Sequence, residues 1–192
     1  MKKRRNDWIL EQQEKKKIYI VLSQTGTIVS KMIRIVTRKK YSHASISLTP
    51  DLQLMYSFGR LHPYAVLPAG FVREAPDIST FKRFRNKADV IILEIEVTDK
   101  ELEGVNSKIS QMLDEQKKYQ YNYIGLFKAA VNLTHPKRNY KYYCSEFVAE
   151  VLEENNIIDR SELPDIVHPM NFLDMPWKIV YQGKICEYPL AN

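Results

Sequence analysis

A cysteine on the first turn of a helix can act as a nucleophile without a metal or an organic cofactor. Cys144 stands in the run Tyr142-Tyr143-Cys144-Ser145-Glu146-Phe147-Val148-Ala149-Glu150-Val151-Leu152. Phe147, Val148, Val151 and Leu152 fall at helical spacing, which predicts a helix with one apolar face and Cys144 at its start. The unpaired N–H groups of a first turn carry partial positive charge. That environment favours thiolate over thiol and offers donors to an oxyanion. The chemistry such a thiolate performs is attack on a carbonyl carbon. A small apolar core cysteine fits the same segment, and the segment by itself leaves both readings open.

A cysteine nucleophile needs a base, and the chain has four histidines, His43, His62, His135 and His168. Residues 43–48 alternate, with His43, Ser45 and Ser47 on one face and Ala44, Ile46 and Leu48 on the other. Period two predicts a half-buried strand. His43 would begin it among small residues that leave room for a neighbour. His62, His135 and His168 each precede proline in loop-like stretches, which suits surface roles. On the residues alone, His43 is either a base or an ordinary strand histidine with a satisfied hydrogen bond.

The elements that would position this pair can be read along the chain. Residues 18–22 (IYIVL) predict a buried strand. Residues 23–26 break it, and the apolar spacing from Thr27 to Val36 predicts a short amphipathic helix. Thr49-Pro50-Asp51 is a turn into a return strand over residues 54–58. Residues 61–76, with three prolines and a glycine, read as a loop. A strand is expected over 90–97. A helix is expected over 98–118, with Thr98 and Glu101 at capping-box spacing. Further helices are expected over 123–133 and 144–154. Residues 179–181 and 184–188 predict a terminal hairpin over Gln182-Gly183. With no internal repeat and no linker, the reading is a basic arm at 1–17 and a single α+β domain over 18–192.

Composition supports that reading. The chain has 192 residues, 44% hydrophobic and 27% charged, enough to bury a core without a disulfide or metal staple. No apolar run approaches the ~18–20 residues of a membrane span, and no apolar signal-peptide core follows the charged N-terminus. The two cysteines, Cys144 and Cys186, form neither a disulfide framework nor a metal-ligand cluster. A reduced, cytoplasmic protein with no metal or organic cofactor is expected. The net charge is +6, of which +4 falls in residues 1–17. Such an arm could touch nucleic acid or anionic lipid. It reads here as a solvated, partly helical extension, with no nucleic-acid partner expected.

The stretches TGTIVSKMIRIVTRKKYSHASISL, YSFGR, GFVRE and YYCSEFVAEVL, in that order, resemble the circularly permuted branch of the NlpC-type papain-like superfamily. Cysteine amidases and peptidases of the YiiX and YebB type belong to that branch, in which the histidine precedes the cysteine. The resemblance runs from about residue 18 to the C-terminal IVYQGKICEY. It implies a permuted papain-like fold, with a nucleophile-bearing helix packed on an antiparallel sheet that presents the base. The family roles carry to Cys144 as nucleophile and His43 as base, with Tyr142 or Tyr143 aiding the oxyanion site. Ser145, beside the nucleophile, and Gln24, through its amide, join the oxyanion or substrate-binding candidates.

At the third catalytic position the sequence departs from the family pattern, which places a carboxylate or amide on the strand after the histidine. That strand reads Leu54-Met55-Tyr56-Ser57-Phe58. Matching polar faces requires an even sum of partner numbers, and the sum of 100, from a three- or five-residue turn, puts Ser57 opposite His43. Glu74 is the alternative, if its loop folds back. The activity implied is cleavage of an amide bond in a small peptide or amino-acid conjugate, cell-wall fragments among the candidates, through a thioester. Two rivals stand beside it. One is lipid acyl transfer of the lecithin-retinol-acyltransferase type, which wants an apolar groove and membrane contact. The other is a non-catalytic binding module.

Overall fold

The computed structural model describes residues 15–25, 40–62, 65, 67–131, 133 and 139–189. The helix expected over 27–36, His135 and all but the last three residues of the basic arm lie outside the described residues. Eight strands form one sheet: β1 (Lys16–Gln24), β2 (His43–Ser47), β3 (Met55–Arg60), β4 (Ala69–Glu74), β5 (Asp89–Val97), β6 (Gln120–Tyr121), β7 (Lys141–Tyr142) and β8 (Lys178–Lys184). Their order is β7-β6-β4-β3-β2-β1-β5-β8. Every neighbouring pair is antiparallel except β6 with β7. Four α-helices are described: α1 (Ser79–Arg83), α2 (Asp99–Asp114), α3 (Tyr123–Ala130) and α4 (Cys144–Glu154). The architecture is α+β. None of the described helices is long and apolar enough to cross a membrane.

The first strand is longer than its apolar run. Lys16 and Lys17, counted with the basic arm, pair with Val97 and Glu96, so the arm boundary after residue 17 falls inside the sheet. Lys17 also reaches Glu94, with Nζ 3.1 Å from Oε1.

Each face of the sheet has its own apolar layer. Ile18, Ile20, Leu22, Ala44, Ile46, Phe58 and Phe71 pack beneath α2 and α4. Tyr19, Val21, Met55, Val90 and Ile92 form the opposite layer with Leu52, Phe81 and Ile185. Strands covered on both faces carry continuous apolar runs, which explains the unbroken IYIVL and VIIL segments.

Both long helices begin as their sequences predict. Thr98 Oγ1 accepts from the Glu101 N–H at 3.2 Å, and the Glu101 carboxylate accepts from the Thr98 N–H at 2.7 Å. This is the reciprocal capping box. Val105, Ile109 and Met112 then bury one helical face. The helix stops at Asp114, four residues short of expectation, and residues 116–118 tighten into a 3₁₀ turn. In α4, Phe147, Val148, Val151 and Leu152 are all buried. The Phe147 ring lies 5.4 Å from that of Phe58 and 5.5 Å from that of Phe71. This aromatic cluster seats the start of α4 on β3 and β4.

Two expectations are corrected. The stretch 61–76, read as a loop, contains β4, whose Phe71 and Val72 are buried. The prolines that suggested a loop flank the strand, and Gly70 serves close approach rather than a turn. A Cβ at Gly70 would stand 2.9 Å from the Tyr119 carbonyl oxygen, where β6 crosses at Gln120. The terminal hairpin is also absent. Residues 178–184 form one strand against β5, followed by a 3₁₀ turn at Ile185–Glu187 that carries Cys186. Gly183 accommodates the Tyr181 phenol, whose oxygen a Cβ would meet at 2.7 Å. That phenol donates to the Lys184 carbonyl at 2.7 Å.

The two glycines facing each other across β3 and β4 should respond differently to a methyl group. At Gly59 a Cβ would meet its nearest neighbours at 3.5–3.7 Å, ordinary contact. At Gly70 it would strike backbone. Gly70→Ala should therefore cost about 1–3 kcal/mol, as overpacking does, while Gly59→Ala should be much milder. Paired urea denaturation curves measure the difference.

Candidate active site

Cys144 begins α4, and its thiol is buried, 2% exposed. The first turn of the helix is oriented by Glu146, whose carboxylate accepts from the Tyr143 N–H at 3.4 Å. His43 begins β2, and its ring is about one-fifth exposed. Helix start and strand start meet, so that the Cys144 side chain lies within hydrogen-bonding reach of the imidazole.

The other side of the ring is held by a carboxylate. His43 Nε2 lies 3.2 Å from Glu74 Oε1 and 3.1 Å from Oε2. Ser45 Oγ donates to Glu74 Oε2 at 2.6 Å. With Nε2 engaged by Glu74, Nδ1 is the nitrogen left for the thiol, and an orienting partner on one nitrogen fixes the function of the other. Glu74 ends β4, two strands from β2, so its side chain must pass over β3. The residues of β3 on that face permit it. Ser57 is small, and Gly59 has no side chain. A Cβ at Gly59 would be 3.6 Å from Glu74 Oε1 and 3.7 Å from His43 Cε1.

Burial and pairing act in opposite directions on these two groups. Burial would lower the pKa of His43. The Glu74 charge, together with hydrogen bonds involving Cys144 and Glu74, outweighs it and raises the pKa well above the ordinary 6.5. Burial would raise the pKa of Glu74. The His43 charge and hydrogen bond, with the Ser45 hydroxyl, bring it below the ordinary 4.5. The two form an imidazolium–carboxylate pair.

A small, mostly apolar pocket opens beside the thiol. Ser42, Tyr143, Cys144 and Ser145 line one part of it, Leu126, Ala129 and Ala130 of α3 another, and His168 with Pro169 the rest. Tyr121 of β6 interacts electrostatically with Cys144. Its phenol is held well above its ordinary pKa, first by burial and then by the Cys144 charge. Tyr143 is raised by burial, then by Glu146 and Cys144. Both stay protonated and can donate. Among the described residues, no group of three or more His, Cys, Asp and Glu side chains is arranged to hold a metal ion.

The sequence candidates divide accordingly. Cys144, His43 and Glu74 come together, with Tyr143 at the pocket. Glu74 gets there on a strand, not by a loop folding back. Ser57 does not orient the base. The parity of the register is as expected, but Ile46 pairs with Tyr56 and Ser47 with Met55, so the partner sum is 102. The hairpin turn is two residues longer than the sum of 100 allows, which moves Ser57 from His43 to the level of Ser45. Ser57 Oγ donates to the Ala44 carbonyl at 2.9 Å.

Ser145 is likewise committed elsewhere, donating to the Val167 carbonyl at 2.8 Å. Tyr142 turns away from the thiol, and its phenol donates to Glu150. Gln24 is nearly buried at the end of β1, beside Ser23, the partner of His43, and does not line the pocket.

Three participants escaped the sequence reading. Ser45 shares the His43 face of the alternating strand, which was its available signal. Tyr121 lies in a two-residue strand too short to have a pattern. His168 was expected at the surface beside Pro169, but it is partly buried and lines the pocket. His62 is exposed, as its loop predicts. No family model matches the chain, and no curated protein matches it.

The ion pair sets a pH signature for stability. The raised pKa of His43 contributes stability fully present below 6.5 and lost as pH rises through its folded value. The lowered pKa of Glu74 contributes stability fully present above 4.5 and lost as pH falls through its folded value. The difference in unfolding free energy between wild type and Glu74→Gln should therefore plateau between 4.5 and 6.5 and shrink on both sides. The plateau should be roughly 3 kcal/mol, as for a broken buried pair. Urea titrations across acid, neutral and alkaline buffers measure it, and a pH-independent difference would mean that the two groups are not paired as ions.

Proposed function

We propose that this chain is a cysteine hydrolase of the permuted papain-like type, cleaving an amide bond in a small peptide or amino-acid conjugate. The observation that carries the reading is the convergence of Glu74, His43 and Cys144, each from the end of a different element. A structural cysteine has no need of a histidine that is itself oriented by a buried carboxylate.

In the proposed cycle the imidazolium of His43 stabilises the Cys144 thiolate. The sulfur attacks the amide carbonyl carbon, and the carbonyl π electrons move onto oxygen. First-turn N–H groups of α4 are the donors for that oxyanion, and Tyr143, kept as a phenol, lines the pocket beside the thiol. His43 gives its proton to the leaving nitrogen, the C–N bond breaks, and a thioester remains. Water then attacks the thioester carbonyl as His43 takes its proton. The C–S bond breaks, and the acid leaves with the thiolate restored. Glu74 keeps the ring oriented and its charge balanced throughout. Loss of the proton from His43 at alkaline pH removes both the acid for the leaving group and the partner of the thiolate.

Variants test the reading. Cys144→Ser changes one atom and keeps packing volume, yet should remove most amide cleavage. His43→Ala should lower the alkylation rate of Cys144 by iodoacetamide at neutral pH. Cys186→Ser should change neither, and melting curves serve as the stability control. An expected outcome is that Cys144 alkylates faster than Cys186 in the native protein despite its greater burial. If it alkylates no faster, and His43→Ala changes nothing, Cys144 is a core cysteine and the fold is a binding module.

A further inference from the structure

We infer that the side-chain amide of Asn122 is a substrate-binding donor, with an Nδ2 N–H that holds the carbonyl oxygen of the acyl group while Cys144 attacks it. The inference deepens the hydrolase reading above and rests on it.

Asn122 follows β6 and precedes α3, and it joins two of the elements that meet at the pocket. Its backbone N–H donates to the Tyr142 carbonyl at 2.8 Å, two residues before the nucleophile. Its carbonyl accepts from the Leu126 N–H at 2.9 Å, and Leu126 lines the pocket with Cys144. The strand that leads into Cys144 and the helix that walls its pocket are therefore fastened at one residue. Asn122 is 3% exposed and Cys144 2%, so donor and nucleophile are both withdrawn from water.

The cap it makes fixes the orientation of the amide. Oδ1 accepts from the Gly125 N–H at 2.9 Å, at the start of α3. A flipped amide would set N–H against N–H, so the cap assigns the nitrogen end. Nδ2 is closed off from water and has no hydrogen-bond partner. Among the described residues it is the only buried side-chain nitrogen in that state. Capping does not require it. Ser, Thr or Asp would supply the same acceptor without burying two idle N–H donors, and a buried donor without an acceptor costs stability. Native proteins satisfy nearly all such groups, and a catalytic role is one of the few reasons for an exception.

The acceptor that suits this donor is an oxygen that gains charge during the reaction. The first-turn N–H groups of α4 come from one element, and the amide adds a donor from another. As sulfur bonds to the carbonyl carbon, the oxygen takes up the π electrons and becomes the stronger acceptor. The bond to Nδ2 therefore tightens toward the transition state and relaxes when the C–N bond breaks and the carbonyl re-forms. No proton passes through the amide, which is neutral throughout. An aspartate here would cap α3 equally well and would repel the oxyanion.

This role gives Asn122 effects of opposite sign on stability and on catalysis. Asn122→Ser keeps a capping oxygen, carries no charge and is too short to present the donor. In the full chain its melting temperature should equal or exceed that of the wild type. Acylation of Cys144 by p-nitrophenyl acetate passes through an oxyanion and should slow about 100-fold. Alkylation of the same thiol by iodoacetamide forms no oxyanion and should keep the wild-type rate. Mass spectrometry of the labelled peptides assigns each rate to Cys144 or Cys186. Asn122→Thr, a second uncharged cap, should behave as the serine variant does, and Asn122→Ala, which loses cap and donor together, should melt below both.

Equal acylation in wild type and Asn122→Ser would overturn the inference and leave the amide a cap. A parallel fall in acylation and alkylation would overturn it as well, since the residue would then act on the position of the thiol and not on the oxyanion. A wild-type Cys144 that reacts with both reagents no faster than Cys186 would end the hydrolase reading itself, and the donor with it.

Discussion

A carboxylate removed from water must be paired, and in this protein the pairing of Glu74 dictates the arrangement around it. Glu74 is 6% exposed at the end of β4. Left alone, its charge would cost several kcal/mol. Its partners are His43, from the start of β2, and the hydroxyl of Ser45, two residues further along the same face. The intervening strand has to be low for the pair to close, and β3 offers Ser57 and Gly59 there. Larger side chains at these positions would separate the charges. The register of three strands, the small residues of the middle one and the protonation of the histidine are thus parts of one electrostatic requirement.

The thiol depends on a different kind of constraint. Cys144 is held by packing, because Phe147 is locked between Phe58 and Phe71, and those two rings belong to β3 and β4. The strands that separate and supply the ion pair on one face therefore seat the helix on the other. Displacement of β4 would move Glu74 and the foot of α4 together. Gly70 contributes at this level, by letting the chain at Tyr119–Gln120 approach β4 closely.

Local chemistry made much of this legible in the sequence. The Thr98–Glu101 capping box, the apolar face of α4 with Cys144 at its start, and the alternation beginning at His43 all rest on contacts within a few residues. Tertiary contacts decided what was misread. Gly70 and Gly183 resemble turn signals, yet each serves close approach to a group distant in space or lying on its own strand face. Parity of the β2–β3 register follows from polar alternation, but its absolute value depends on the length of a turn, and an offset of two residues moved the orienting role from Ser57 to Glu74. His168 precedes proline, like His62, and nothing local distinguishes the one that lines a pocket from the one in solvent.

The apolar character of the pocket and the charge of the pair beside it are physically linked. Attraction between imidazolium and thiolate is weak where water can screen it and grows as water leaves. Leu126, Ala129 and Ala130 give one wall of the pocket no polar group to hold water, and a substrate seated there would displace what remains. On the proposed reading, substrate binding strengthens the interactions that make the thiol reactive. Water must still reach the thioester for turnover. The acyl group held on the thiol leaves the amine side of the pocket vacant once the leaving group departs. The hydrolytic water would then enter where the amine had been, within reach of the same His43 nitrogen that protonated it.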